Sequence, residues 1–324
     1  GNNVLLGDLG TDTLFGGSGA DTLNGGGGTD SMEGGDGGDL FLVDSTADIV
    51  RELATDTGTD TVESSATYSI EGRFVENLTL TGSTNIDGTG SSGANRITGN
   101  AGNNQLFGGL GNDTITGGGG NDTLRGGDGF DVLSGNDNDD FIFGGSTEAD
   151  LRDNLFGGAG RDNLDGGYGS DELRGEAGND TLTGGFGADT LIGGTEADVL
   201  SGGALGDLMF GGDGADFING GFGFDRANGG AGADTFFHLG IADHGTDFVQ
   251  DYSGAAGDVL QVGIAGAVAS QFQVNFANAG GGQPGVLEAF VIYRPTGQVL
   301  WALIDGGGQG DILLGIGGQT FDLV

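Results

Sequence analysis

The chain has 324 residues, of which 78 are glycine and two proline, and its formal net charge is −39. All nine basic residues are arginine, and so acidic a chain repels nucleic-acid phosphate and anionic lipid, which excludes both as direct partners. With no cysteine there is no disulfide framework, thiolate zinc site or cysteine nucleophile.

Residues 7–42 hold four nonapeptides, GDLGTDTLF, GGSGADTLN, GGGGTDSME and GGDGGDLFL, with Asp12, Asp21, Asp30 and Asp39 at position six and Leu14, Leu23, Met32 and Phe41 at position eight. This short array occupies 1–42. The glycine pattern then stops, and residues 43–98 form a spacer in which alternation around TDTVESS and VENLTLT indicates short strands. Val62, Val75, Leu78 and Leu80 are its expected core. The spacer either adds wider β-coils on one axis or separates two rolls. Asp48 falls outside the pattern, so replacing it is expected to do little.

The nonamer returns at 99 as GNAGNNQLF, where Asn104 stands in for aspartate and is expected to bind less well or not at all. It continues with Asp113, Asp122, Asp131 and Asp140 over Ile115, Leu124, Leu133 and Ile142; the last of these units, GNDNDDFIF, lacks two glycines and is a doubtful turn. Residues 144–156 equal one nonamer plus four residues. Read as one enlarged turn, with Asp153 in the position-six role, they keep 99–237 a single main array. From Gly157 to Phe237 nine units run without a gap, and Asp162, Asp171, Asp180, Asp189, Asp198, Asp207, Asp216, Asp225 and Asp234 all occupy position six. Position eight is Leu164, Leu173, Leu182, Leu191, Leu200, Met209, Ile218 or Phe236, with Ala227 the exception. Residues 238–324 are more apolar and carry the only tryptophan, Trp301. A solenoid end exposes core and an unpaired sheet edge, so this segment is expected to be a β-rich cap.

Within each unit, glycines at positions one, two and four allow crowded or left-handed turns that can aim carbonyl oxygens at one point. A carboxylate at position six adds charged oxygen, and an oxygen-only ring selects a hard cation such as Ca²⁺. The three residues after it make one short strand step with only position eight pointing inward. Two units then close one coil of about 18 residues, and successive coils stack roughly 4.8 Å apart. Glycine- and aspartate-rich sequence without calcium is expected to be disordered.

The unit GGxGxDxUx resembles the nonapeptide of the RTX, or hemolysin-type, family of secreted bacterial proteins. The resemblance implies an all-β fold, a right-handed parallel β-roll or β-helix solenoid, with each ion between same-side turns such as those of Asp162 and Asp180, or Asp171 and Asp189. Counting stacked turns gives about twelve Ca²⁺ ions, about +24 of charge, which would leave the folded chain near −15. The stretch 43–98 resembles a spacer found between RTX arrays, and HLGIADHGTDFVQDYSGAAGDVLQV, punctuated by Asp247, Asp251 and Asp258, resembles the flank that closes such rolls. The terminal TFDLV resembles the uncleaved signal read by type I (ABC transporter) secretion machinery, though only Leu323 and Val324 follow Asp322 where three apolar residues are commoner.

No HExxH and no G-x-S-x-G occurs. The only histidines, His238 and His244, have no third soft ligand near them in sequence and are expected to be packed or exposed. Carboxylate pairs are uninformative where aspartate is everywhere. No apolar run is long enough to span a membrane, and GNNVLL is not a secretory leader, so the chain reads as part of something longer. The expected function is a non-catalytic, calcium-folded roll of a secreted, extracellular, or cell-surface-associated, bacterial protein. The alternatives are the C-terminal module of a larger secreted enzyme of protease, lipase or epimerase type, or of a surface-layer or adhesin protein. Replacing Asp189 with Ala is expected to weaken the calcium response locally.

Overall fold

The computed structural model describes residues 1–240, 244–277, 286–304 and 309–324. Of the C-terminal segment 238–324, residues 241–243, 278–285 and 305–308 lie outside these. The chain divides into two compact units, Gly1–Gly158 and Ala159–Val324. Both are β-solenoids of parallel stacked coils, and the only helix among the described residues is the single turn Ala269–Gln271.

The repeat unit explains the coil. In the strand Thr181–Phe186, TLTGGF, exposure alternates so that Leu182 and Gly184 face inward. Position eight is therefore core, as its spacing predicts: Leu164, Leu173, Leu182, Leu191, Leu200 and Met209 have no exposed surface. Each such side chain gains about 1.5–3 kcal/mol from full burial. The strand does not stop at position nine, as the three-residue reading has it. It runs six residues, through both glycines of the next unit, because the pleat continues until the position-two glycine turns it. Gly185 has φ 106° and Gly187, at position four, φ 149°, the conformations a Cβ disfavours. Position one is glycine for a different reason, since Gly166 and Gly184 do not take the left-handed conformation.

Where glycine is missing from positions two and four the backbone bends the same way. Glu176 has φ 74°, Glu196 φ 73° and Leu205 φ 87°. In the doubtful unit 135–143, Asn136 and Asn138 both take φ 77°, which asparagine tolerates better than most residues, so that turn forms. Leu205 is 65% exposed and gains little from burial. Leu205→Gly should raise the calcium-loaded stability by roughly 1 kcal/mol, read as a higher denaturation midpoint.

In the first unit one parallel face runs Val4–Leu6, Thr22–Asn24, Leu40–Val43, Thr61–Ser64, Asn77–Leu80, Arg96–Thr98, Thr114–Gly119 and Val132–Asp137. The spacer thus supplies further coils of this unit, and Val62, Val75, Leu78 and Leu80 are buried in it as expected. On the opposite side Thr13–Ser18, Ser31–Asp36 and Ile49–Arg51 stack in register, and Tyr68–Ser69 begins a second run through Gly88–Thr89, Gln105–Leu110, Thr123–Asp128 and Phe141–Phe143. Side chains splice the two runs. The Tyr68 hydroxyl accepts the Val50 N–H at 3.2 Å and donates to the Asp48 carbonyl at 3.1 Å. The Arg73 guanidinium donates to the carbonyls of Val50 and Ser69 at 3.0 and 2.9 Å.

In the second unit one face runs Glu172–Ala177, Thr190–Thr195, Leu208–Asp213, Arg226–Ala231, Asp247–Val249 and Gln298–Leu303. The other runs Asn163–Tyr168, Thr181–Phe186, Val199–Ala204, Phe217–Phe222, Thr235–His238, Val259–Val262 and Leu313–Ile316. Both faces end in antiparallel pairing. Phe272–Ala277 and Glu288–Tyr293 fold onto Gln298–Leu303, and Gln319–Asp322 folds onto Leu313–Ile316. The last strand carries the acidic residue of the TFDLV ending, and Asp322 Oδ1 accepts the Val324 N–H at 3.1 Å.

Candidate metal centres

The aspartate of position six directly precedes each short strand and points into the turn behind it. Every one from Asp21 to Asp234 is at most 2% exposed, whereas Asp12, in the first coil, is half-buried. Their two carboxylate oxygens have different surroundings. Oδ1 accepts the backbone N–H of the position-six residue one coil earlier. In the second unit Asp162 donates to Asp180, Asp171 to Asp189, Asp180 to Asp198, Asp189 to Asp207, Asp198 to Asp216, Asp207 to Asp225 and Asp216 to Asp234, all at 2.8–3.0 Å. In the first unit Asp12 donates to Asp30, Asp21 to Asp39, Asp113 to Asp131 and Asp122 to Asp140, at 2.7–2.8 Å. The ladder links same-side turns 18 residues apart.

The other oxygen, Oδ2, lies deeper in the turn. In Asp12, Asp21, Asp30, Asp39, Asp113, Asp122, Asp131, Asp189, Asp198, Asp207, Asp216 and Asp234 it is buried without a hydrogen-bond partner. It faces the position-one glycine, and this explains that glycine. A Cβ built on Gly184 would lie 2.5 Å from Asp189 Oδ2 and 2.5 Å from the carbonyl oxygen of Gly202; on Gly166 the distances are 2.5 Å to Asp171 Oδ2 and 2.7 Å to the Gly184 carbonyl. The same pairing of carboxylate and next-coil carbonyl recurs at Gly193, Gly202, Gly211 and Gly117. The oxygens that converge are thus the carboxylate of one coil and the glycine carbonyl of the next, rather than two carboxylates. A buried anionic oxygen without a donor is costly, and a column of them beside main-chain carbonyls fits a hard cation held by oxygen alone.

Electrostatics agree. Burial pushes the carboxyls of Asp113, Asp198 and Asp207 up to about 7, and those of Asp122, Asp131, Asp189 and Asp234 up to about 6. The N–H bond from the preceding coil lowers each in part, and neighbouring aspartates raise Asp113, Asp198, Asp207 and Asp234 further. Without a cation, burial shifts these groups towards the protonated form.

The ladder extends to residues outside the nonapeptide pattern. Asp48 Oδ1 accepts the Asp30 N–H at 3.0 Å, and its Oδ2 accepts Asp44 and Ser45. It is 1% exposed, so the expectation that its replacement does little is corrected: its loss strands three backbone donors. Asp60 takes the Asp39 N–H across 21 residues, Asp153 that of Asp131 across 22 and Asp258 that of Asp234 across 24. Asp39, Glu52 and Asp60 bring three carboxylates within 4.8 Å, and Glu52 caps the N–H groups of Gly34 and Gly35 at 2.9 and 3.1 Å. Burial pushes Glu52 up to about 7 and Asp60 up to about 8. Asn104 keeps its place in the ladder but bonds within the protein: its Oδ1 accepts Asn100 N–H, and its Nδ2 donates to Ile86 O and Asn100 Oδ1.

Parallel coils whose turns carry a file of buried carboxylates define a cation-binding β-solenoid. The repeat model described as the RTX calcium-binding nonapeptide repeat, in four copies, matches residues 1–41, 89–124, 116–147, 150–182, 183–204 and 210–240, more than half of the chain. The chain belongs to that family, and RTX repeats bind Ca²⁺. A search of the curated proteins returned no match. No helix among the described residues is long and apolar enough to cross a membrane.

Proposed function

We propose that this chain is a calcium-folded module of a secreted, extracellular bacterial protein, non-catalytic in itself, whose position-six aspartates hold the ions through Oδ2 with the position-one carbonyl of the next coil. The observation that carries this reading is the run of buried Oδ2 atoms without donors beside those carbonyls. About twelve ions follow if each pair of stacked turns holds one. When bound, Ca²⁺ supplies charge neutralisation at buried carboxylates. The chain supplies the frame: Oδ1 fixes each carboxylate to the preceding coil, and glycine at position one keeps the space open.

Folding is then a switch on calcium concentration. Where calcium is scarce, uncompensated carboxylates and glycine entropy keep the chain open and able to pass a type I (ABC transporter) exporter; at about 10⁻⁴–10⁻³ M, a range typical of extracellular modules, binding folds it. In this reading residues 238–324 close the roll and carry the export signal at TFDLV. The test is far-ultraviolet circular dichroism at neutral pH. Coil in chelator and β-structure in millimolar Ca²⁺ is the expected pair; identical spectra would reject the switch.

A further inference from the structure

Of the two outcomes expected for the histidines, packing and exposure, the structure shows packing. His238 ends the strand Thr235–His238, and Asp247 begins the strand Asp247–Val249. His238, His244 and Asp247 are 0, 2 and 4% exposed, and each offers a ligand atom within 4.8 Å of the other two. The imidazole centroids are 4.5 Å apart. His244 Nδ1 and Asp247 Oδ1 are buried atoms without a hydrogen bond, although the Asp247 carboxyl is also hydrogen-bonded to the backbone and side chain of Asp225. His238 accepts the Gly240 N–H on Nδ1 at 2.8 Å, and its Nε2 faces the Gly245 carbonyl at 3.3 Å. Trp301, the register partner of Asp247, packs edge-on to His238 with centroids 5.6 Å apart.

We propose that His238, His244 and Asp247 form a site for a borderline divalent cation of the zinc type, differing in donor chemistry from the calcium turns. It borders the turn of Asp225, to which Asp247 is hydrogen-bonded. Nitrogen donors decide the class. Calcium takes oxygen, whereas two imidazoles and a carboxylate are a usual zinc donor set. Coordination through His238 replaces one of its two hydrogen bonds. Coordination through Nδ1, in place of the Gly240 N–H, leaves Nε2–H donating to the Gly245 carbonyl, the backbone contact that commonly orients a metal-bound imidazole. Burial holds both rings below the ordinary histidine value, His238 at about 4, so neither carries a second proton at neutral pH. The ion would pin the end of one sheet face to the start of a strand in the other, where the nonapeptides give way to the C-terminal segment.

The sole tryptophan lies against the cluster, which makes its emission a reporter. The full chain is titrated with Co²⁺ in saturating Ca²⁺, so that the oxygen turns are already occupied. Quenching that saturates at one equivalent, is reversed by Zn²⁺, and weakens about tenfold or more in His244→Gln and Asp247→Asn is expected. Emission indifferent to Co²⁺, or quenching unchanged in both variants, overturns the site. Circular dichroism of each variant in Ca²⁺ separates loss of the site from loss of the fold. Should neither variant fold, X-ray absorption of the zinc-loaded wild type decides: imidazole nitrogen in the metal's shell supports the assignment, and an all-oxygen shell refutes it.

Discussion

In chelator, the chain should hold β-structure near pH 4 and lose it as the pH rises towards 7. The carboxyls of Asp122, Asp131, Asp189 and Asp234 sit at about 6 in the fold and those of Asp113, Asp198 and Asp207 at about 7, against an ordinary 3.8. A folded-state value above the unfolded one means that the fold holds protons which the open chain releases. Stability from these groups is therefore complete below about pH 4 and is lost as the pH climbs through the folded values. Glu52, at about 7, and Asp60, at about 8, extend the window upward. Calcium should reverse the sign. With cations in place of protons the fold should persist at pH 7 and weaken in acid, as protons compete for the same oxygens. Circular dichroism against pH, with chelator and with millimolar Ca²⁺, reads both limbs; a metal-free signal that is flat or rises between about pH 4 and 7 contradicts the burial argument.

Asp189→Asn should likewise act in opposite directions with and without calcium. The amide can keep the oxygen that accepts the Asp171 N–H at 2.8 Å while removing the buried charge beside the Gly202 carbonyl. In chelator at neutral pH the variant should be no less stable than the parent, because a costly anion is gone. In saturating calcium it should bind fewer ions and lose about 1–3 kcal/mol, the cost of leaving buried polar groups poorly matched. Gly184→Ala tests the same place from the other side. Its backbone accepts a side chain, but the methyl would stand 2.5 Å from both Asp189 Oδ2 and the Gly202 carbonyl. Loss of bound calcium with about 1–3 kcal/mol of overpacking cost is expected. A variant that keeps the full calcium content would show that the space between these oxygens is not where the ion sits. Asn104 carries the same amide by nature, and its nitrogen bonds to Ile86 O and Asn100 Oδ1.

The parts of the fold that repeat were legible and the parts that depend on stacking were not. A strict period places Leu182 or Leu191 in the core without reference to any other coil, because the inward position is set within the nonapeptide. Asp48, Asp60 and Asp258 have no such local mark. They join the ladder at separations of 18, 21 and 24 residues, since coils of unequal length must still bring a carboxylate oxygen onto the preceding coil's N–H. The Tyr68 and Arg73 splice is hidden for the same reason. The glycine of position one, conformational by its pattern, is a spatial one in the fold, a difference visible only when the next coil's carbonyl is in place. The third member of the histidine cluster, Asp247, carries no local mark of it, because its partners meet it across the two sheet faces.

The most direct measurement is a crystal structure of the calcium-saturated chain with anomalous scattering recorded to locate the ions. Density for Ca²⁺ within about 2.3–2.6 Å of both Asp189 Oδ2 and the Gly202 carbonyl, repeated along each file of turns, is expected. Position-six carboxylates bonded only to water or to main-chain donors, with no ion between successive coils, would contradict it.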